Sequence, residues 1–208
     1  MKVLLTLMMS VLSLPLLGAQ APAKMAHAHK SIASQSSWIL NYIDTTPDFP
    51  KAGIKFKSYG RLLGEPAAFK KMIGEFAQRY HGAHIDAIAG LDARGFIFGT
   101  ALAYELRLPF VLIRKAGKLP GNVERVDYAL EYGTNSLEID KGSLKPGQRV
   151  LIVDDLLATG GTAWAACTLV EKLGAEVAEV ACMIELSPLN GRQKVGRPVF
   201  SLVTINVE

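Results

Sequence analysis

The sequence is short of the features that mark several large protein classes. It has only two cysteines in 208 residues, Cys167 and Cys182. Two thiols cannot build a disulfide framework, and no Cys/His spacing suggests zinc. Cys167 falls in a helical pattern and Cys182 in an apolar run, so both read as buried free thiols. The positive excess is also small. Lysine and arginine number 23 against 19 acidic residues, and without Lys2 and Lys24 the balance is 21 to 19. That is too little for a nucleic-acid footprint. There is no helix-turn-helix segment to favour a DNA-binding regulator. No apolar run reaches the roughly 20 residues that span a bilayer, which excludes stable membrane insertion. The absence of Gly-Lys-Ser/Thr excludes a Walker phosphate loop. What remains suits one globular domain, since half the residues are hydrophobic and a fifth are charged.

The first segment, residues 1–24, is unlike the rest. Lys2 precedes an uncharged run from Val3 to Leu17, then Ala19-Gln20-Ala21-Pro22-Ala23. Two readings fit. One is a secretory signal peptide, although its best site would cut before Pro22. The other is an upstream start, with Met25 as the true first residue. Neither makes the segment part of the fold. Residues 25–35 read as a flexible lead-in, where His27 and His29 make no metal site. The folded domain is expected over 36–208.

The chain is organised around Val150-Leu-Ile-Val-Asp-Asp-Leu-Leu-Ala-Thr-Gly-Gly-Thr162. Val150 to Val153 reads as a strand buried on both faces. Asp154 and Asp155 follow, then a turn from Ala158 to Thr162, then a helix from about Ala163 to Leu173. Such a turn lets backbone N–H groups converge on a phosphate at a helix start. Glycine at 160 and 161 allows close approach. Thr159 and Thr162 can donate to phosphate oxygens, and the carboxylates can accept from sugar hydroxyls.

A second unit repeats the design. Ile85 to Gly90 is an apolar strand running into Leu91-Asp-Ala-Arg-Gly-Phe96 and a helix to Leu106. Arg94 can fork onto phosphate oxygens, while a surface pair between Asp92 and Arg94 is the plainer alternative. Pro109 to Ile113 is a further strand that delivers Arg114-Lys-Ala-Gly-Lys118. Three cations in five residues, Arg114, Lys115 and Lys118, read as an anion-binding loop. Asn122 to Ala129 is polar and reads as a mobile loop that closes over a site. Tyr128 to Tyr132 and Ser136 to Ile139 pair as a hairpin about Gly133-Thr-Asn135. Amphipathic spacing predicts a helix over Glu65 to Tyr80. Glu176 to Leu186 and Val199 to Val207 are closing strands. Parallel strands separated by crossings predict an α/β fold, with helices on both faces and ligands at the strands' carboxyl ends.

The 150–162 string resembles the phosphoribosyl-pyrophosphate (PRPP) motif of type I phosphoribosyltransferases. Its Leu-Leu-Ala-Thr-Gly-Gly-Thr ending is similar to the adenine phosphoribosyltransferase family, as are Leu91–Phe96, Leu130-Glu-Tyr-Gly133 and Pro47–Lys57. The resemblance implies the type I phosphoribosyltransferase fold, with a small N-terminal hood over about 36–64. It implies conversion of adenine and PRPP to AMP and pyrophosphate in purine salvage, with Mg²⁺ carried mainly by PRPP. It implies a cytoplasmic homodimer, the exported alternative resting on the leader alone. By the resemblance, Asp92, Arg94, Arg114, Lys115, Lys118, Asp154, Asp155, Ala158, Thr159, Gly160, Gly161 and Thr162 bind PRPP. Phe56 and Lys57 bind adenine, and Glu131 moves the purine proton. From the residues alone, Glu131 reads first as an exposed strand glutamate, and only the resemblance reverses that; for Phe56 a core aromatic is the lesser alternative. One stretch departs from the family, which usually carries Arg-Asp-Ile, a small residue and proline after the phenylalanine. This chain has Lys57-Ser-Tyr-Gly-Arg61. That leaves another purine base, or a PRPP-binding regulator without catalysis, as alternatives.

Overall fold

The structure, a computed structural model, describes residues 36–129 and 134–206. A 3₁₀ helix, Ser36–Tyr42, opens the described chain. Strands β1 (Asp44–Thr46) and β2 (Phe56–Ser58) then form a small antiparallel pair. The short helix α1 (Gly60–Gly64) and the longer α2 (Pro66–Tyr80) follow. Pro66 suits the start of α2, because the first helical N–H groups lack partners in any case. The predicted apolar face is the one that packs. Met72 and Phe76 are fully buried, and Phe76 meets Phe200 edge-on at 6.1 Å.

The main sheet has seven strands. In chain order they are β3 (Ala87–Leu91), β4 (Phe110–Lys115), β5 (Val123–Ala129), β6 (Thr134–Asp140), β7 (Arg149–Leu157), β8 (Glu176–Leu186) and β9 (Val199–Ile205). Across the sheet the order is β5-β6-β4-β3-β7-β8-β9. The five strands from β4 to β9 in that order are parallel, and the β5–β6 hairpin adds antiparallel strands at one edge. Helix α3 (Gly95–Leu106) follows β3, and α4 (Gly161–Lys172) follows β7. The short α5 (Gly191–Val195) precedes β9.

Alternate strand residues feed two cores, as a period of two requires. Ile88, Leu151, Val153 and Phe200 join α2 and α3 on one face. Ala87, Ala89, Val150 and Ile152 join α4 on the other. Helices thus cover both faces, and apolar runs such as Val150–Val153 have no exposed side. Each large apolar side chain withdrawn from water in this way contributes about 1.5–3 kcal/mol. The α/β expectation, with a mostly parallel sheet, agrees with this architecture.

Four boundaries differ from the sequence pattern. Strand β7 does not stop at Val153 but runs to Leu157, because its ladder with β8 continues to Leu157↔Glu185. Asp154 and Asp155 are therefore strand residues. Gly161 and Thr162 belong to the first turn of α4, not to the turn before it. Arg114 and Lys115 end β4 and do not begin the loop after it. The largest change concerns 122–129, read as a mobile closing loop. Val123–Ala129 is a strand, because Val126 and Tyr128 point into the core while Arg125 and Asp127 face out. The hairpin exists, but Ala129 already pairs with Thr134 and Tyr128 with Asn135. Thr134 and Asn135, expected in the turn, are therefore strand residues, while Gly133 lies outside the described residues.

Candidate active site

The carboxyl ends of β3 and β7 lie side by side, since the two strands are parallel neighbours. The turn after β3 carries Asp92 and Arg94, and the end of β7 carries Asp154 and Asp155. A cleft of about 410 Å³ opens there. Asp92, Arg94, Lys115, Asp154, Asp155 and Thr162 all line it, with Tyr128, Asn135 and Leu137 on the opposite wall. Residues of two separate motifs, from Asp92 to Thr162 and so up to 70 positions apart, thus meet at one site.

A recess of about 80 Å³ shares Asp154, Leu156 and Thr162 with the cleft. Ala158, Thr159, Gly160 and Gly161 line it. Gly160 has φ +83° and caps α4. A Cβ at 160 would strike the Gly191 carbonyl oxygen, and one at 191 would strike the Ala158 carbonyl oxygen. Glycine at both positions lets α5 back the turn directly. The result is a small pocket at the start of a twelve-residue helix, where free backbone N–H groups and the helix dipole favour an anion.

The two adjacent acids have different surroundings. Asp155 is buried, and its Oδ2 accepts from the Tyr59 hydroxyl at 2.8 Å. Arg94 Nε lies 3.1 Å from the same oxygen. Asp154 Oδ1 accepts from the Asp155 backbone N–H at 2.9 Å. Burial first, and the neighbouring Asp155 carboxylate second, push Asp154 well above the usual carboxylate range. The cleft therefore holds a carboxyl whose charge is costly until a donor-rich or cationic ligand arrives.

The remaining expected residues are less uniformly placed. Arg114 does not line the cleft. Its Nε donates to Asp92 Oδ2 at 3.1 Å, and its Nη1 donates to the Lys118 carbonyl at 3.1 Å. It shapes the 115–118 turn, which Glu138 also holds by accepting from the Gly117 N–H at 2.8 Å. Lys118 is exposed and also lies outside the cleft lining, which leaves Lys115 as the cation of the three that reaches it. Phe56 is half-buried in β2, edge-on to Phe49 at 5.2 Å and 5.6 Å from the Arg94 guanidinium carbon. Lys57 turns away across the β1–β2 pair, with Nζ donating to Thr45 Oγ1 at 2.8 Å. Glu131 lies outside the described residues.

Sequence reasoning missed three participants. Tyr128 lines the cleft with its hydroxyl 3.3 Å from Thr162 Oγ1. Its alternation with Val126 was the available signal. Asn135 faces it across the hairpin. Tyr59, on Asp155, is 96 residues away along the chain, and no local pattern marks it.

Residues 58–206 match the family model for the phosphoribosyl transferase domain. The human adenine phosphoribosyltransferase is 53% identical over 174 residues, covering 82% of this chain and 97% of the human one. The crystal structure of the enzyme from Thermoanaerobacter pseudethanolicus superposes with TM-score 0.79 at 47% identity, covering 82% of this chain and 99% of that one. The Saccharomyces cerevisiae enzyme, solved with an imino-altritol bisphosphate and adenine, has TM-score 0.78 and 41% identity, with 83% and 99% covered. The fold and cleft are those of a type I phosphoribosyltransferase. Within that class, the chain belongs to the adenine phosphoribosyltransferase family.

Asp154 yields a stability prediction. Its native pKa lies above the unfolded value of about 3.9, so the native state keeps the proton to higher pH than the unfolded chain does. That stability is full below the unfolded value and is lost as pH rises toward the native pKa. Asp154→Asn removes the loss while keeping an acceptor for the Asp155 N–H. The ligand-free variant should melt higher than wild type at pH 7.5, by about 2–4 °C per 1 kcal/mol relieved. The gap should close as pH falls toward about 4. An equal or lower melting temperature at pH 7.5 would show that the charge is not strained.

Proposed function

We propose that the protein transfers the 5-phosphoribosyl group of PRPP to N9 of adenine, giving AMP and pyrophosphate. The observation that carries this reading is the cleft lined by Arg94 and the Asp154–Asp155 pair, which adjoins the recess of the glycine turn at the head of α4 through Asp154 and Thr162. In this reading the turn from Ala158 to Thr162 grips the 5′-phosphate. Asp154 and Asp155 accept from the ribose hydroxyls and favour positive charge on the sugar ring. Arg94 and Lys115 hold the pyrophosphate, each charge-assisted contact contributing about 1.5–3 kcal/mol. As the bond from C1′ to the pyrophosphate oxygen breaks, pyrophosphate keeps the electron pair and N9 closes on C1′. The N9 proton then passes to Glu131. Tyr128 and Asn135, in the strands flanking 130–133, line the same cleft, which supports a role for Glu131 there. Phe56 offers the base a stacking face, worth about 1–3 kcal/mol.

The donor set suits Mg²⁺ that arrives with PRPP. Asp92, Asp154 and Asp155 offer hard oxygens at the cleft, while the described residues contain no cluster of three metal ligands. Mg²⁺ takes one or two carboxylates plus substrate phosphates and keeps several waters. Bound with PRPP, it would offset charge on the departing pyrophosphate.

A homodimer fits the outer face of α2 and α3. Phe69, Ile73, Phe96, Ile97 and Tyr104 line a groove there of about 640 Å³, and Tyr104 is 86% exposed. An apolar surface of that kind marks an association site. Tyr104→Glu should halve the mass seen by light scattering, and an unchanged mass would refute this face. The supply of PRPP places the reaction in the cytoplasm, and no described helix is long and apolar enough to cross a membrane. Mass spectrometry of the cellular protein should find an N-terminus at Met1 or Met25 in the cytosolic fraction. A terminus at Pro22 in an exported fraction would overturn that.

The decisive assay is AMP formation with PRPP and Mg²⁺, offering adenine, hypoxanthine, guanine and xanthine in turn. Turnover should be confined to adenine. Glu131→Leu should lose about 10²–10⁴-fold in kcat, the usual contribution of general acid–base catalysis, with PRPP affinity retained. Turnover on another base would overturn the adenine assignment. PRPP binding without any turnover would indicate a regulator.

A further inference from the structure

Tyr59 stands where the family usually carries isoleucine, a residue with no hydroxyl. It lies between β2 and α1, and its backbone carbonyl accepts from the Leu62 and Leu63 N–H groups at 3.0 and 3.3 Å. Its ring is buried and packs edge-on against Phe98 of α3, with centroids 5.5 Å apart. Backbone and ring are thus both fixed, so the hydroxyl costs little entropy to aim. It is aimed at Asp155 Oδ2, at 2.8 Å. Burial first, and the charge of Asp155 second, raise the phenol far above its ordinary pKa, so it stays protonated and donates.

Asp155 carries two partners on one oxygen. Tyr59 and Arg94 both meet Oδ2, at 2.8 and 3.1 Å, and the neighbouring Asp154 carboxyl interacts with the same side chain. Arg94 also lies 5.9 Å from the Tyr59 ring centroid, so one residue touches both members of the ion pair. Arg94 is nearly half exposed and long, and it cannot fix a carboxylate rotamer alone. The phenol is the rigid partner.

We infer that Tyr59 is a positioning residue for substrate binding, its hydroxyl holding Asp155 by Oδ2 so that the carboxylate is kept in place at the cleft for the sugar of PRPP. This rests on the proposed sugar-binding role of Asp155. Tyr59→Phe keeps the ring and its packing on Phe98 and removes only the donor.

The test is a double-variant cycle on the full chain, read as the PRPP dissociation constant by calorimetry with Mg²⁺ present. The four proteins are wild type, Tyr59→Phe, Asp155→Asn and the double variant. Tyr59→Phe should weaken PRPP binding about ten- to hundredfold, as loss of a hydrogen bond to a charged group does. The adenine KM should move less than twofold. In the Asp155→Asn background, adding Tyr59→Phe should change PRPP affinity by less than twofold, because the two act through one group. Wild-type PRPP affinity in Tyr59→Phe would overturn the inference. So would additive losses in the double variant when Asp155→Asn alone binds weakly, and the sugar-binding reading would then stand. Wild-type affinity in Asp155→Asn alone would remove the sugar-binding reading, and the positioning role with it.

Discussion

A strand enclosed on both faces and both edges can carry charge only where its covering layers part, and β7 ends at such a place. It lies between β3 and β8, with α3 over one face and α4 over the other. Val150 to Val153 are fully buried. The next two residues are acids, and strand alternation sends them in different directions. Asp155 goes toward the α3 side, where Tyr59 and Arg94 meet it. Asp154 borders both the cleft and the recess at the head of α4. A buried carboxylate without partners would cost several kcal/mol. Partnered on one side and open to the cleft on the other, the pair is tolerated without ligand and completed by one.

The turns after β3 and β7 are held by close backbone approach. At the head of α3, a Cβ on Gly95 would lie 2.7 Å from the Val153 carbonyl oxygen and 3.0 Å from Asp154 Oδ1. The Asp92–Arg94 turn is therefore seated directly on the end of β7. Behind the other turn, Gly160 and Gly191 leave no space for a side chain at either position. Helix α5 is itself anchored by Arg192, whose guanidinium grips Glu185 and reaches Ser201. Both turns thus inherit the rigidity of the sheet, which is what a site needs if it is to hold a sugar phosphate at both ends.

The parts of this arrangement that were legible in the sequence are those encoded locally. Apolar runs give buried parallel strands, so β3, β7 and β8 stand out. The 150–162 and 91–96 strings carry the small and charged residues that define the site. The rest depends on contacts that no window contains. Asp154 and Asp155 look like the end of a strand, because charge argues against burial. The ladder to β8 continues past them regardless. Val123–Ala129 looks like a loop because its outward residues are charged, and only pairing with β6 reveals its inward Val126 and Tyr128. Arg114 looks like part of a free cationic cluster until Asp92, on the neighbouring strand's turn, takes it up.

The hood shows how a few buried contacts govern a larger exposed element. Residues 44–46 of β1 are exposed, and their side-chain links are polar contacts at the surface, Thr45 to Lys57 of β2 and Asp44 to Arg61 of α1. Such exposed pairs contribute about 0–1 kcal/mol. The firm attachments are Ile39, Leu62 and the Tyr59 ring, all within one core with Phe98. Phe56 reaches the cleft only through Arg94. Stability is therefore unevenly spread, high at the base of the hood and low toward its tip, and the low end is where local opening occurs. A ligand entering beside Phe56 would meet an element that can adjust at its tip while its root stays fixed to the strand that carries Asp154 and Asp155. The side chain at that root is Tyr59, whose ring joins the core and whose hydroxyl reaches Asp155, so one residue connects the adjustable element to the rigid one.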